Sequence, residues 1–468
     1  MMTRNDFLRL AAAGMAWPLW ADVPVVRRPA AGRKLRLALV GCGGRATSLI
    51  LNMLGEDVVA LCDPDSTRFE VILNRMTAYR YAGDLSRIRH FRDYHDLYQK
   101  MGRELDAVVI ATPNHHHAPA AIAAMRCGIH VYVEKPMALT IAEARLMRDV
   151  ARQTGVATQV GNQAHTTEGV RRAVEYIRSG VLGEVKDVWC WVDRVNAFAV
   201  RPKPVAVPST LAWAPWIGPC TRDVLEEGMH PHGWHAWTGL GNGSIGNMGT
   251  HLLDPAFWAL DLYGTPPSSV AEQDCRPGGE GSWALRSTVA YVFPAHGKFG
   301  ETKVRWMDGL RGDLPYDAAH VKPMDRATEL AYANRPPVVE ELERRHGINL
   351  GAVGALFLGA NGAVCLTSGG AITFVPDKIR KELPKPPMTL PREKHLTHME
   401  DFFRAVRGQR PAGCDFATAE PVAEAVLLAN VASRAGGGTL VWDGHKVVNN
   451  VSANAFLTTP YRKGHEVV

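Results

Sequence analysis

Apolar and polar positions follow two different patterns along the chain. Residues 35–40 form a continuous apolar run that ends in glycines, and runs of the same kind recur at 58–62, 106–111, 130–133 and 156–160. Short, unbroken apolar runs bounded by turn residues fit strands buried on both faces of a parallel sheet. Between them, 118–127 and 140–154 carry helical spacing, so strand and crossover helix alternate. That alternation predicts a doubly wound α/β fold. Further on the pattern changes. Residues 184–195 and 287–293 read as longer strands, and 356–358 and 364–366 flank Gly359-Ala360-Asn361-Gly362, a hairpin turn signal. With a helix expected at 244–262, this half predicts an α+β region with an open, mostly antiparallel sheet. Residues 307–347 are polar and rich in Pro and Arg and predict an excursion from that sheet; closing helices are expected at 395–406 and 419–433.

Composition narrows the function classes. The chain is 46% hydrophobic and 21% charged, the make-up of a folded globular protein. Its +6 formal charge, from 53 basic and 47 acidic residues, is small for 468 residues and is not gathered into runs. Neither a nucleic-acid surface nor a membrane surface is expected from that balance. No stretch approaches the roughly eighteen apolar residues that a membrane-spanning helix needs. The eight cysteines form no C-x-x-C pair, which argues against a zinc site or a disulfide framework. Thr3-Arg4-Asn5-Asp6-Phe7-Leu8 resembles a twin-arginine export signal, with Asn5 at the second arginine position. A working leader makes the protein exported or periplasmic, a decayed one cytoplasmic, and residues 1–33 are set apart from the fold.

The first chemical motif closes the first predicted strand. Gly41-Cys42-Gly43-Gly44-Arg45-Ala46 fits G-x-G-x-x-A between a strand and a helix. Glycines there permit a tight turn and let backbone N–H groups approach a pyrophosphate. Asp63 ends the second predicted strand, where an acid accepts the adenosine ribose hydroxyls and repels a 2′-phosphate. NAD is therefore the expected cofactor and NADP the lesser one, with Arg45 and Arg68 leaving room for it. The chain accordingly divides into the N-terminal segment 1–33, a Rossmann domain 34–158, and an α+β substrate and oligomerisation domain 159–468.

Two loops at carboxyl ends of predicted strands carry the rest. Ala111-Thr112-Pro113-Asn114-His115-His116-His117 follows one strand, and Glu134-Lys135-Pro136 follows the next. Ligands of open α/β sheets bind there, and a lysine so placed can donate to a reacting oxygen. Of the three histidines, His117 is expected near the nicotinamide end, and His115 and His116 at the surface.

These residues, with Gly161-Asn162-Gln163, resemble the glucose–fructose oxidoreductase/inositol dehydrogenase (Gfo/Idh/MocA) family over nearly everything after residue 34. The resemblance implies a catalytic Lys135, a proline after a cis peptide, NAD or NADP, and an open sheet bearing a sugar site. It sets Thr112, Asn114, His117, Glu134, Asn162 and Gln163 beside the cofactor. It makes His251, in Gly246-Asn247-Met248-Gly249-Thr250-His251, the proton acceptor of an oxidised hydroxyl. Asn247 stands where the family has aspartate; four residues before His251, it shares that helix face. An amide can hold a hydroxyl but not a negative charge beside an imidazolium.

Residues 228–237 resemble a segment of an exported-type subgroup. That likeness implies a loop over the substrate, with His230 and His235 in it and Trp234 or Trp237 as a platform for a sugar face. The His230-Pro231-His232 pattern lacks an accompanying acid or cysteine, and no metal is expected. Tyr461-Arg462-Lys463-Gly464 resembles the subgroup's closing motif, without an evident role. The reading is an NAD-dependent oxidoreductase of a sugar, polyol or glycoside hydroxyl, forming a homodimer or homotetramer. Two alternatives accompany it: a glycoside hydrolase or lyase that recycles tightly bound NAD, and a non-catalytic ligand-binding protein on the same scaffold.

Overall fold

The computed structural model describes residues 26, 28–30, 32–312, 331–377, 379–382, 384–393 and 396–467. The leader-like motif lies outside the described residues, as does the stretch 313–330 of the expected excursion.

Six parallel strands form the first sheet: β1 (Arg36–Val40), β2 (Asp57–Cys62), β3 (Arg89–Phe91), β4 (Ala107–Ile110), β5 (His130–Val133) and β6 (Thr158–Val160). Their order is β3-β2-β1-β4-β5-β6. Leu37, Ala38, Leu39 and Val40 are buried along β1, as a strand covered on both faces requires. The five apolar runs all become strands. β3 escaped the hydrophobic pattern because Phe91 is the one buried residue of an edge strand. Strand order reverses between β1 and β4, so the crevice of a doubly wound sheet opens there, outside the carboxyl ends.

Helices α1 (Ala46–Leu49), α2 (Thr67–Ala78), α3 (Tyr94–Met101), α4 (His117–Arg126) and α5 (Ile141–Thr154) cover this sheet. The ends of α5 are written in its sequence. Thr140 and Glu143 form a reciprocal capping box, and Gly155, at φ 69°, ends the helix in the left-handed region.

The second sheet has eight strands: β7 (Val185–Val192), β8 (Ser269–Arg276), β9 (Arg286–Phe293), β10 (Thr302–Gly309), β11 (Val353–Gly359), β12 (Gly362–Leu366), β13 (Ile372–Val375) and β14 (Gly438–Val441). They run in the order β13-β12-β11-β7-β10-β9-β8-β14. Every pairing is antiparallel except that of β7 with β10. The predicted hairpin turn joins β11 to β12, with Gly359 paired to Gly362. The excursion begins later than its polar composition suggested, because Trp306, Met307 and Asp308 still belong to β10 and are buried.

Helices α6 (Glu168–Arg178), α7 (Trp213–Ile217) and α8 (Gly243–Leu260) follow, then α9 (Pro337–His346), α10 (Ile379–Glu382), α11 (His398–Val406) and α12 (Phe416–Arg434). Helix α8 packs on β7, α6 and α12. One hydrophobic cluster runs from Val108 and Val131 of the parallel sheet to Val188, Trp306 and Phe357 of the second. α8 is thereby held with its first turns facing the crevice. On the opposite face of the second sheet, Val339 of α9 packs with Trp191, Met307 and Leu356.

Candidate active site

The crevice starts at the glycine loop. Gly41 has φ 85°, and a Cβ there would lie 2.7 Å from the Ala111 carbonyl carbon, so the β1 and β4 loops meet only because the residue is glycine. Around Gly43 and Gly44 a Cβ would meet nothing within 4 Å, so both present bare backbone to the crevice. Asp63 closes the loop from below. Its carboxylate accepts from Cys42 N at 2.7 Å and from Asp65 N at 2.8 Å. Burial pushes its pKa up to about 6, against the pull of those two N–H bonds.

Thr112, Asn114 and His117 reach the crevice from the β4 end, Glu134 and Lys135 from the β5 end. Thr112 Oγ1, Asn114 Oδ1 and Glu134 Oε2 are buried and make no hydrogen bond within the protein. Buried polar atoms normally have partners. Unpaired polar atoms beside an open glycine loop fit a dinucleotide lying across the switch point. Glu134 Oε1 pairs with Arg45 at 3.0 Å and accepts from Gln163 Nε2 at 3.0 Å. Gln163 therefore meets the crevice only through Glu134. His117 bridges the two loops, with Nδ1 2.7 Å from Pro136 O and Nε2 3.0 Å from Thr112 O. The Lys135–Pro136 peptide is cis, as the resemblance implied.

Lys135 points across the crevice at α8. Its Nζ donates to Asn247 O at 2.5 Å and to Asn247 Oδ1 at 3.0 Å. Asn247 Nδ2 in turn donates to Asn196 Oδ1 at 3.0 Å. Burial pushes the Lys135 pKa down to about 8, with Arg45 and Arg194 acting in the same direction and Glu134 opposing them. His251 lies one turn beyond Asn247, with Nδ1 3.1 Å from Asn162 Oδ1. Burial, and then the Lys135 charge, hold it well below the usual histidine range, so its imidazole is neutral. Lys135 and Asn247 line the crevice itself; His251, Asn162 and Gln163 stand behind that lining.

Residues 196–240 fold over the mouth as a cover. Ala212 N donates to Pro64 O, Ser66 N to Thr210 O, and Arg92 reaches both of those carbonyls. His230 Nε2 lies 3.0 Å from Asp65 Oδ2. His115 and His116 are not at the surface, where the sequence alone puts them; both are buried, and both Nε2 atoms meet Trp216 O, at 3.1 and 2.7 Å. Gly218 leaves them room, since a Cβ there would come within 2.2 Å of His116 Cε1. Trp234 lines the crevice and lies against the His235 ring, with centroids 3.6 Å apart. Trp237 does not line it. Its ring is in the core of the cover and its Nε1 donates to Glu226 Oε2, while Glu226 Oε1 pairs with Arg201. Tyr461 and Arg462 fasten the cover from far along the chain: Tyr461 donates to Glu143, Arg462 N to Pro219 O, and the Arg462 side chain to Asp223.

Several crevice residues had no signal in the sequence. Arg194, Arg92 and Trp216 line it, yet none belongs to a motif. The nearest hint was position: Arg194 lies just past the end of the apolar strand β7, as Lys135 lies just past β5.

A parallel doubly wound sheet with a glycine loop, a buried acid and a lysine at the switch point is a scaffold that can hold a dinucleotide across its crevice. Sequence comparison agrees over the first domain: residues 35–162 match the GFO_IDH_MocA model, described as an oxidoreductase family with an NAD-binding Rossmann fold. A glycosyl hydrolase family 109 protein of Stenotrophomonas maltophilia is 31% identical over 193 residues, 39% of this chain and 40% of the relative. Levoglucosan dehydrogenase of Pseudarthrobacter phenanthrenivorans is 29% identical over 34% of each chain. The chain thus matches less than half the length of these curated relatives. Among solved structures, the WlbA dehydrogenase of Bordetella pertussis in complex with NADH and UDP-GlcNAcA superposes with a TM-score of 0.56. That likeness is one of fold, at 17% identity over 88% of this chain and 99% of the other.

Proposed function

We propose that the whole chain is a Gfo/Idh/MocA oxidoreductase that uses NAD to oxidise a hydroxyl of a sugar, polyol or glycoside. The observation that carries this reading is Lys135, held on Asn247 in the same crevice as the glycine loop and Asp63. Asp63 favours NAD, and the arginines that a 2′-phosphate would recruit are engaged elsewhere: Arg68 with Asp65, Arg92 with Pro64 O. Bound nicotinamide supplies the hydride acceptor.

The chain supplies position and proton handling. Two N–H groups of the Lys135 ammonium are on Asn247 oxygens, which leaves the third for the substrate hydroxyl oxygen. A neutral His251 with Nδ1–H on Asn162 keeps the Nε2 lone pair free to take the hydroxyl proton. Asn247 fixes the lysine without lending charge to an imidazolium. Trp234 and His235 flank the substrate. Incubating purified protein with NAD and a panel of sugars and polyols tests the reading; NADH accumulates with the true substrate.

A second reading has an observation in its favour. The cover is tied to Pro64, Asp65 and Ser66 beside the adenosine end, an arrangement suited to a cofactor that stays bound through turnover. A retained cofactor must be returned to its starting state. Oxidising a sugar hydroxyl acidifies the adjacent C–H, whose loss expels the glycosidic oxygen; water then adds and the ketone is reduced again. Cleavage of nitrophenyl glycosides without net NADH would select this reading over the first.

A further inference from the structure

We propose that the substrate carries an oxyanion, the carboxylate of an acidic sugar or a sugar phosphate, and that Arg194 binds it beside Lys135. This inference rests on the oxidoreductase reading for the site but not for the net reaction.

Charge is unevenly distributed over the crevice. Three acids line it, Asp63, Asp93 and Glu134, and all stand on loops of the parallel sheet. Each is engaged: Asp63 by the N–H groups of Cys42 and Asp65, Asp93 by His95, and Glu134 by Arg45 and Gln163. Around Lys135 the rest of the lining is Arg194, His232, Trp234, His235 and Asn247. None of these is a carboxylate, and the neighbouring Glu134, which favours the Lys135 charge, is already paired with Arg45. Where an acid beside Lys135 would have balanced the ammonium, Asn247 offers two neutral oxygens.

Arg194 is fixed in place by its backbone. Ser244 Oγ, in the first turn of α8, donates to Arg194 O at 3.0 Å and accepts from Asn196 N at 3.0 Å. Asn196 is the residue that Asn247 grips. The backbone around Arg194 and the side chain that holds Lys135 are therefore parts of one network. Among the described residues, the Arg194 guanidinium makes no hydrogen bond or ion pair; its planar fork of donors is left for a ligand. Two neighbouring cations in a half-buried crevice repel; burial is the main cause of the depressed Lys135 pKa, and the Arg194 charge adds to it by that repulsion. An incoming oxyanion relieves it and accepts a paired hydrogen bond from the fork.

The test uses the purified full chain with NAD and matched sugars: a hexose, its uronate and its 6-phosphate. Binding is read from tryptophan fluorescence, since Trp234 lines the crevice, and turnover from NADH absorbance. The expected result is that one of the two acidic partners binds at least about tenfold more tightly than the neutral hexose, a difference one charge-assisted pair can supply. Whichever acid is preferred identifies the source of the oxyanion. Arg194→Ala then lowers the acid-to-neutral ratio about tenfold, and Arg194→Lys recovers part of it. Asn247→Asp, which places a carboxylate on the lysine, lowers the same ratio without touching Arg194. Neutral hexose binding as tightly as both acids, or an Arg194→Ala ratio equal to that of the unaltered protein, overturns the proposal. Arg194-dependent binding of the acid without NADH formation sinks net dehydrogenation instead and leaves the oxyanion site standing.

Discussion

In the parallel sheet, Leu37, Ala38, Leu39 and Val40 are buried side by side and every strand is held by its backbone ladder. In the cover, residues 196–240, there is little regular structure, and side chains do much of the fastening: His115 and His116 on Trp216 O, Arg92 on Thr210 O, Glu226 between Arg201 and Trp237. A ladder distributes stability over many equivalent bonds, so no single side chain is decisive for it. A strapped segment concentrates it in a few. The comparison predicts that substitutions on the sheet loops remove chemistry and spare the fold, while substitutions in the cover release the cofactor and spare the sheet.

Lys135→Ala gives the largest effect: loss of one charged donor at the reacting oxygen lowers kcat by roughly 10²–10³-fold. Cofactor binding and the melting profile stay near those of the parent, and a collapse of the fold would break the comparison. Glu226→Ala is next. Glu226 is 2% exposed, and its removal leaves the buried Trp237 Nε1–H without its acceptor and Arg201 with Glu280 alone. The expected cost is about 2 kcal/mol, confined to the cover; hydrogen exchange should show faster opening of 196–240 with β1 and β4 still protected. Gly218→Ala costs about 2 kcal/mol, because its φ of 46° disfavours a side chain and the new Cβ meets His116. Faster NAD loss in a dilution assay is its signature.

The pH dependence is gentler and separates the roles of two residues. The Lys135 pKa lies at about 8, below its ordinary 10.5, so the proton leaves as pH rises through 8. With the ammonium as donor, kcat/KM falls above that pH, by about tenfold per unit at the limit. A rise instead would make the amine the base and displace His251 from that role. Stability moves the other way over the window from 8 to 10.5: the unfolded lysine holds a proton that the folded one has released, so the fold gains stability there as pH rises.

What was legible in the sequence follows the same division. The buried strands appeared as apolar runs, and Gly41, Asp63 and Lys135 were found because each ends such a run. β3 was invisible because a three-residue edge strand with one buried side chain has no period to detect. Adjacent histidines point in different directions, so the sequence alone puts His115 and His116 at the surface; the carbonyl that pays for their burial lies about a hundred positions later, at Trp216. Trp237 was expected at the substrate, and it packs inside the cover, since nothing local distinguishes it from Trp234. Asn247 stands out in the sequence, but its grip on Asn196, fifty-one positions away, and the bare arginine two positions before that residue needed three dimensions.

The contacts of Tyr461 and Arg462 bear on how the protein is made. Arg462 meets Asp223 and Arg222 across separations of 239 and 240 residues. During synthesis the parallel sheet and most of the cover emerge from the ribosome long before these two residues do. A nascent chain can therefore assemble its nucleotide cradle early, yet the final clasps over it form only after position 462 has been translated. The cradle is thus open for an interval before the door is latched.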